Sequence, residues 1–145
     1  MTKVLIKKLD PSVELPAYIT NGASGVDLMA YVKEPIRLKP NSSYLVPTGI
    51  SVAFSEDYEI QIRPRSGLAA KNNISVLNSP GTIDSDFRGE IKVILYNHGS
   101  EIFLIQNRDR IAQMILVPVV KIQFEEVENL PETIRGEGGF GSTGK

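Results

Sequence analysis

What most constrains this chain is its punctuation. Short β-forming runs, Ile36–Leu38, Ser43–Val46, Ile50–Phe54 and Tyr58–Ile62, are cut by Lys39-Pro40-Asn41, Pro47-Thr48-Gly49 and Ser55-Glu56-Asp57. Proline fixes φ, glycine and asparagine accept turn conformations, and runs this short fall below the roughly ten residues of an ordinary helix. Many short strands between such turns predict an all-β sandwich or barrel and argue against alternating strand and helix units. The reading extends to Lys3–Leu9 and to Gly25–Tyr31, with Val26, Leu28 and Ala30 on one face and Asp27 pointing away as a solvated strand acid. It also covers Ile91–Asn97, whose two faces are both largely apolar. Ile102–Ile105 and Arg110–Val117 are expected to pair through Gln106-Asn107-Arg108-Asp109, with Lys121–Val127 as an edge strand. Ser66–Asn72 breaks the rhythm, because helix formers follow a good N-cap, Ser66, and predict one short helix.

The 145 residues fit a single domain, 1–145. Lysines and arginines nearly balance the acids, for a net charge of -1. No overall basic field is available for nucleic acid, and a phosphate ligand would depend on a few local cations. The absence of cysteine excludes disulfides, thiolate metal sites and a thiol nucleophile, and the single His98 makes neither a zinc set nor a triad. It reads as a surface turn residue. No stretch reaches the roughly 20 apolar residues that span a bilayer, so no membrane contact and a cytoplasmic location are expected.

Chemistry concentrates between Leu77 and Val93, where Ser79-Pro80-Gly81 is expected to turn a hairpin and bring Asn78 close to Asp84. Fixed N–H and C=O groups at such a mouth suit a planar ring of alternating donors and acceptors, such as uracil. Hydrolysis of a phosphoanhydride needs a base for water, and with no cysteine and no suitable histidine a carboxylate must serve. Asp84 is the first candidate; Asp86, two residues on and on the same strand face, is the rival. N–H groups at the start of the predicted helix, beside Arg65, make a possible anion site, or else an ordinary helical turn with a surface arginine. Arg135–Lys145 has five glycines and almost nothing to bury. It is either a loose terminus or a mobile lid, residues 135–145, that carries Arg135 to phosphate and Phe140 to a base.

Five segments, in order, resemble the five motifs of the deoxyuridine triphosphatases: Ala23–Leu28, Arg63–Leu68, Gly81–Glu90, Arg110–Ile115 and Arg135–Gly144. The resemblance covers nearly the whole chain. It implies a distorted jelly-roll β-barrel assembled as a homotrimer, with active sites at subunit interfaces. The implied activity is hydrolysis of dUTP to dUMP and pyrophosphate by attack on the α-phosphorus, which keeps uracil out of DNA and supplies dUMP for thymidylate synthesis. Mg²⁺ is implied on the triphosphate, with Asp27 touching it only through water. The resemblance assigns water activation and the sugar 3′-hydroxyl to Asp84, and phosphate contacts to Arg65, Ser66, Gly67 and Gln113. Asn78, Gly81, Thr82, Ile83 and Lys92 fall to uracil, and Arg135, Phe140, Gly141 and Ser142 to the closing tail. Phe87 stands where the family usually has a tyrosine stacked on deoxyribose; the ring remains and the phenol is lost. A dCTP deaminase of related fold would need a glutamate base, and none occurs in the hairpin core before Glu90. Intact Asp84, Arg65 and Gln113 argue against a non-catalytic nucleotide-binding module, and the five motifs together disfavour a plain β interaction domain.

Overall fold

A computed structural model describes residues 2–144; Met1 and Lys145, the two ends of the expected domain and tail, lie outside the described residues. The strands are β1 (Leu5–Lys8), β2 (Val26–Met29), β3 (Ile36–Leu38), β4 (Ser43–Pro47), β5 (Ile50–Ala53) and β6 (Tyr58–Arg63), followed by the helix α1 (Ser66–Asn72). Then come β7 (Ile74–Val76), β8 (Gly81–Ile83), β9 (Lys92–Asn97), β10 (Phe103–Ile105) and β11 (Arg110–Pro118). All pairings are antiparallel. Two larger sheets, ordered β2-β11-β6-β8 and β4-β9-β7, are accompanied by the pairs β1-β5 and β10-β3.

Alternation within the strands produces the core. Val93, Leu95 and Asn97 of β9 point inward to join Ile60, Ile62, Val46, Ile50, Ile74 and Val76, all buried. Burial of an amide is tolerated only when its hydrogen bonds are made. Asn97 meets that condition: its Nδ2 donates to the Leu38 carbonyl at 2.9 Å and to the Glu101 carbonyl at 2.8 Å, and its Oδ1 accepts from Gly99 N–H at 2.9 Å. The outer face of β9 is less covered than its apolar residues suggested: Ile94 and Tyr96 are half-buried and Lys92 is exposed. His98 is exposed, as expected of a turn residue, and its Nε2 shares a 2.7 Å hydrogen bond with Ser75 Oγ.

Several expected pairings change. β10 pairs with β3, and β11 with β2 and β6, so the loop Gln106–Asp109 passes between sheets instead of closing a hairpin. Likewise β7 belongs to the sheet of β9 and β8 to that of β6, so the Ser79–Gly81 turn moves the chain from one sheet to the other. Lys121–Val127 forms no strand and is exposed; Ile122 and Phe124, with Val120 just before them, lie on the surface. Alternating charges gave it the character of an edge strand, but among the described residues it has no ladder to join. The helix has the expected bounds, yet its N-cap is Arg65, without a side-chain capping bond, and Ser66 is its first helical residue.

Candidate active site

The segments that carry polar chemistry gather around β11. Its ladder sets Gln113 opposite Asp27 of β2 on one side and Arg63 of β6 on the other. Arg110 lies opposite Met29 and Ala112 opposite Leu28, a bulge that absorbs one residue. On a regular strand, residues three apart face opposite ways. The bulge makes Arg110 and Gln113 partners of residues only two apart on β2, and so brings both side chains to the face of Asp27.

Asp27 is therefore not the solvated acid its alternation suggested. Its side chain is 21% exposed and is clamped between Arg65, Nε to Oδ1 at 3.2 Å, and Arg110, Nη1 to Oδ2 at 3.3 Å. Arg65 Nη1 also donates to the Arg110 carbonyl at 3.2 Å, and Gln113 Nε2 to the Pro64 carbonyl at 3.0 Å. These bonds tie the segment after β6 to β11 and leave Ser66 and Gly67 exposed at the start of α1. Arg110 was missed as a site residue in the sequence because only the bulge reveals which way it points.

A second cluster surrounds β8. Gly81 is buried against β6, where a β-carbon would come within 3.2 Å of Ile62 Cβ and 3.3 Å of Asn78 Nδ2. Asn78 thus folds onto the start of β8. Asp84 follows its other end, about 10 Å away at ~3.3 Å per strand residue. The expected hairpin mouth shared by the two is absent. Asp84 and Asp86 are exposed, and the Asp84 carbonyl accepts from Phe87 N–H at 3.1 Å, so the two acids sit in a reverse turn and not on one strand face. An open cavity of about 410 Å³ beside them is lined by Asp84, Ser85, Asp86, Glu56, Tyr58, Glu59, Val119 and Lys121. Thr82 is exposed and Ile83 half-buried on β8, while Lys92 is exposed on β9 of the other sheet.

The two clusters lie at opposite ends of β6. Ile83 pairs with Ile60, three residues before Arg63, which separates the Asp84 and Arg65 ends by at least about 10 Å of strand. A polar row spans the gap: Gln61 Nε2 donates to Glu59 Oε1, and Arg63 Nη2 donates to Gln61 Oε1 at 2.8 Å. The tail joins neither cluster. Arg135 Nε donates to its own Gly138 carbonyl at 2.8 Å, and Phe140 and Ser142 are exposed in successive turns, with Gly141 between them.

Among the described residues no three carboxylates or imidazoles converge as a metal cage. Asp27, the acid of this cluster, has both oxygens occupied by guanidinium groups. Such a donor set fits a divalent ion carried by a phosphorylated ligand and keeping its own waters; it does not fit an ion caged by protein.

A bulged all-β sheet that gathers arginines and an amide at one end, and an exposed carboxylate at the other, defines a frame for a charged polar ligand. The dUTPase family model matches residues 12–144, and the chain belongs to that family. It is 57% identical over 138 residues to the deoxyuridine 5'-triphosphate nucleotidohydrolase of Chlamydia pneumoniae, covering 94% of this chain and 95% of the relative. It is 53% identical over 146 residues to that of Fusobacterium nucleatum, covering 100% of both. A mutant dUTPase of Staphylococcus bacteriophage 80alpha solved with dUpNHpp superposes with a TM-score of 0.86 over 100% of both chains at 22% identity. A dUTPase mutant of phage phi11, described with a structural Mg(II) ion, gives 0.79 over 90% of this chain and 99% of that one at 19% identity. The fold is thus the jelly-roll-like barrel of these enzymes.

Proposed function

We propose that this protein hydrolyses dUTP to dUMP and pyrophosphate, as a single domain whose residues 135–145 act as a lid. Membership of the dUTPase family carries the reading, with the convergence of Asp27, Arg65, Arg110 and Gln113 on one face as its structural support. Asp84, exposed at the end of β8, holds the 3′-hydroxyl and takes the proton of the attacking water; a positioned base contributes about 10² to 10⁴ in rate. Asp86, in the same turn, is the rival base. Arg65, Ser66, Gly67 and Gln113 hold phosphate oxygens. Asn78, Gly81, Thr82, Ile83 and Lys92 surround the base. Cytosine would leave a buried hydrogen-bonding group unpaired at about 1–3 kcal/mol, and the thymine methyl would overpack the backbone at a similar cost of about 1–3 kcal/mol. Mg²⁺ bound on the triphosphate supplies charge screening, and Asp27 reaches it only through water.

The site is completed between subunits of a homotrimer. The placement of Asp84 and Arg65 beside opposite ends of β6 supports this, because the α-phosphate beside one lies too far from the other within a single chain. The exposed Val120, Ile122 and Phe124 also await cover. Tail closure then brings Arg135 to phosphate and Phe140, Gly141 and Ser142 over the nucleoside. No helix among the described residues is long and apolar enough to cross a membrane, and a cytoplasmic nucleotide pool is the setting we propose. Pyrophosphate release from dUTP and dCTP, followed together with ammonia release, tests the reading: pyrophosphate from dUTP without ammonia is expected. Ammonia from dCTP would instead assign a deaminase, and no product from either a binding module.

A further inference from the structure

Gly89 lies two residues beyond Phe87 in the loop that carries Asp84. Its φ is outside the left-handed region, so the turn itself would accept any L residue. Its surroundings would not. A β-carbon here would come within 2.6 Å of Phe87 Cζ, 2.9 Å of Cε1 and 3.4 Å of Cε2. The three nearest atoms all belong to one ring, and the first two distances are shorter than β-carbon contacts allow. The glycine is required by the ring and not by the backbone.

The rest of the loop leaves the ring little other freedom. Phe87 N–H donates to the Asp84 carbonyl at 3.1 Å, while Arg88 Nη1 donates to the Ser85 and Phe87 carbonyls at 2.6 and 3.1 Å. The backbone on both sides of Phe87 is thereby fixed, and only its side-chain torsions remain. With no β-carbon at 89, the far edge of the ring settles against the loop while 42% of the residue stays open to a ligand. An alanine would push the ring outward by rotation about flexible torsions, without forcing the turn.

We propose that Gly89 is a specificity-determining positioning residue: it seats the Phe87 ring and thereby sets discrimination between deoxyribose and ribose. The inference rests on the proposed function together with the family resemblance, which implies that the Phe87 ring stacks on deoxyribose. It acts through Phe87 and touches no reacting atom.

The test compares kcat/KM for dUTP and UTP in the wild-type protein, Gly89→Ala, Phe87→Ala, the double variant and Gly22→Ala, a glycine with nothing within 4 Å of its would-be β-carbon. Gly89→Ala is expected to lower the dUTP-over-UTP ratio by about tenfold, the low end of what one methylene of misfit is worth in a pocket. Its kcat for dUTP should stay close to wild type, the Gly22→Ala ratio should not change, and Gly89→Ala should add nothing on the Phe87→Ala background. If Gly89→Ala is too unstable to assay, melting decides: recovery in the double variant supports the ring contact, and no recovery overturns it. A wild-type enzyme that turns over dUTP and UTP alike would overturn the sugar reading and this inference with it. Unchanged selectivity in folded Gly89→Ala beside a selective wild type would overturn the inference alone.

Discussion

Asp84 is exposed and stands in a turn, so replacing it disturbs little packing. Asp84→Asn should leave melting and dUTP binding close to wild type and lower pyrophosphate release by about 10² to 10⁴. A near-wild-type rate would transfer the base to Asp86. Asp10 yields a prediction of another kind. Its carboxylate accepts from Ser12 Oγ at 2.6 Å and Ser12 N–H at 2.8 Å, and these bonds, with smaller help from Tyr31 and Lys33, hold it below the ordinary carboxylate range. A lowered folded-state pKa stabilises the protein above the unfolded value of 3.8, and that contribution is lost as pH falls through the folded value. Ser12→Ala should therefore lower the melting temperature at neutral pH and leave it less sensitive to acid below about pH 4; an unchanged acid limb would remove Asp10 from the account. At this scale the sequence showed that Arg65 adjoins a helix start, as the structure has it. Alternation placed Asp27 off the apolar face of β2 but could not report the arginines that β11 and the segment after β6 bring to it.

The turn after β4 holds together elements distant in sequence. Gly49 O accepts from Leu9 N–H at 2.8 Å, Gly49 N–H donates to Glu90 Oε1 at 2.9 Å, and Thr48 Oγ1 donates to the Ile91 carbonyl at 2.5 Å. The end of β1 and the base of the Asp84 loop therefore hang on one glycine, whose φ is +71° and whose would-be β-carbon lies 2.6 Å from Val13 Cγ2. Gly49→Ala should cost about 1–2 kcal/mol for the left-handed backbone alone, and more for displacing Val13, as read by urea unfolding. A loss below half a kcal/mol would show that the turn relaxes freely. Strand existence was legible through most of the chain because period-two apolar residues and turn residues agree locally. Pairing was not, since β8 and β7 are adjacent in sequence yet lie in different sheets, and no local pattern records which edge a strand joins. The bulge at Ile111 was hidden for the same reason: it is visible only as a shift against β2.

At the scale of the whole molecule, β6 holds Asp84 and Arg65 apart, so an active site built across subunits makes a sharp expectation. Asp84→Asn and Arg65→Ala proteins, each inactive alone, should regain a substantial fraction of activity when unfolded together and reassembled, because some sites then receive both intact residues. No recovery in mixed oligomers would mean that each chain builds its own site. Removing Arg135–Lys145 should leave melting temperature and oligomer mass unchanged while turnover collapses, since the described residues of the segment are largely exposed and bonded chiefly to one another. A fully active truncated protein would end the lid reading.

The arginine clamp on Asp27 has a consequence for the resting enzyme. A guanidinium already satisfied by a carboxylate is a poor trap for stray inorganic phosphate, because any newcomer must displace an anion before it gains one. On the function proposed above, an incoming triphosphate, richer in charge, would make that exchange, and the departing product would hand Arg65 back to a waiting partner. The same ion pairs also fasten β2 to β11 and to the segment after β6, so the exchange draws on what holds these strand ends together. Ligand affinity and fold stability are then opposing claims on one side chain, and an Asp27→Asn protein is expected to melt earlier yet retain inorganic phosphate and pyrophosphate more strongly.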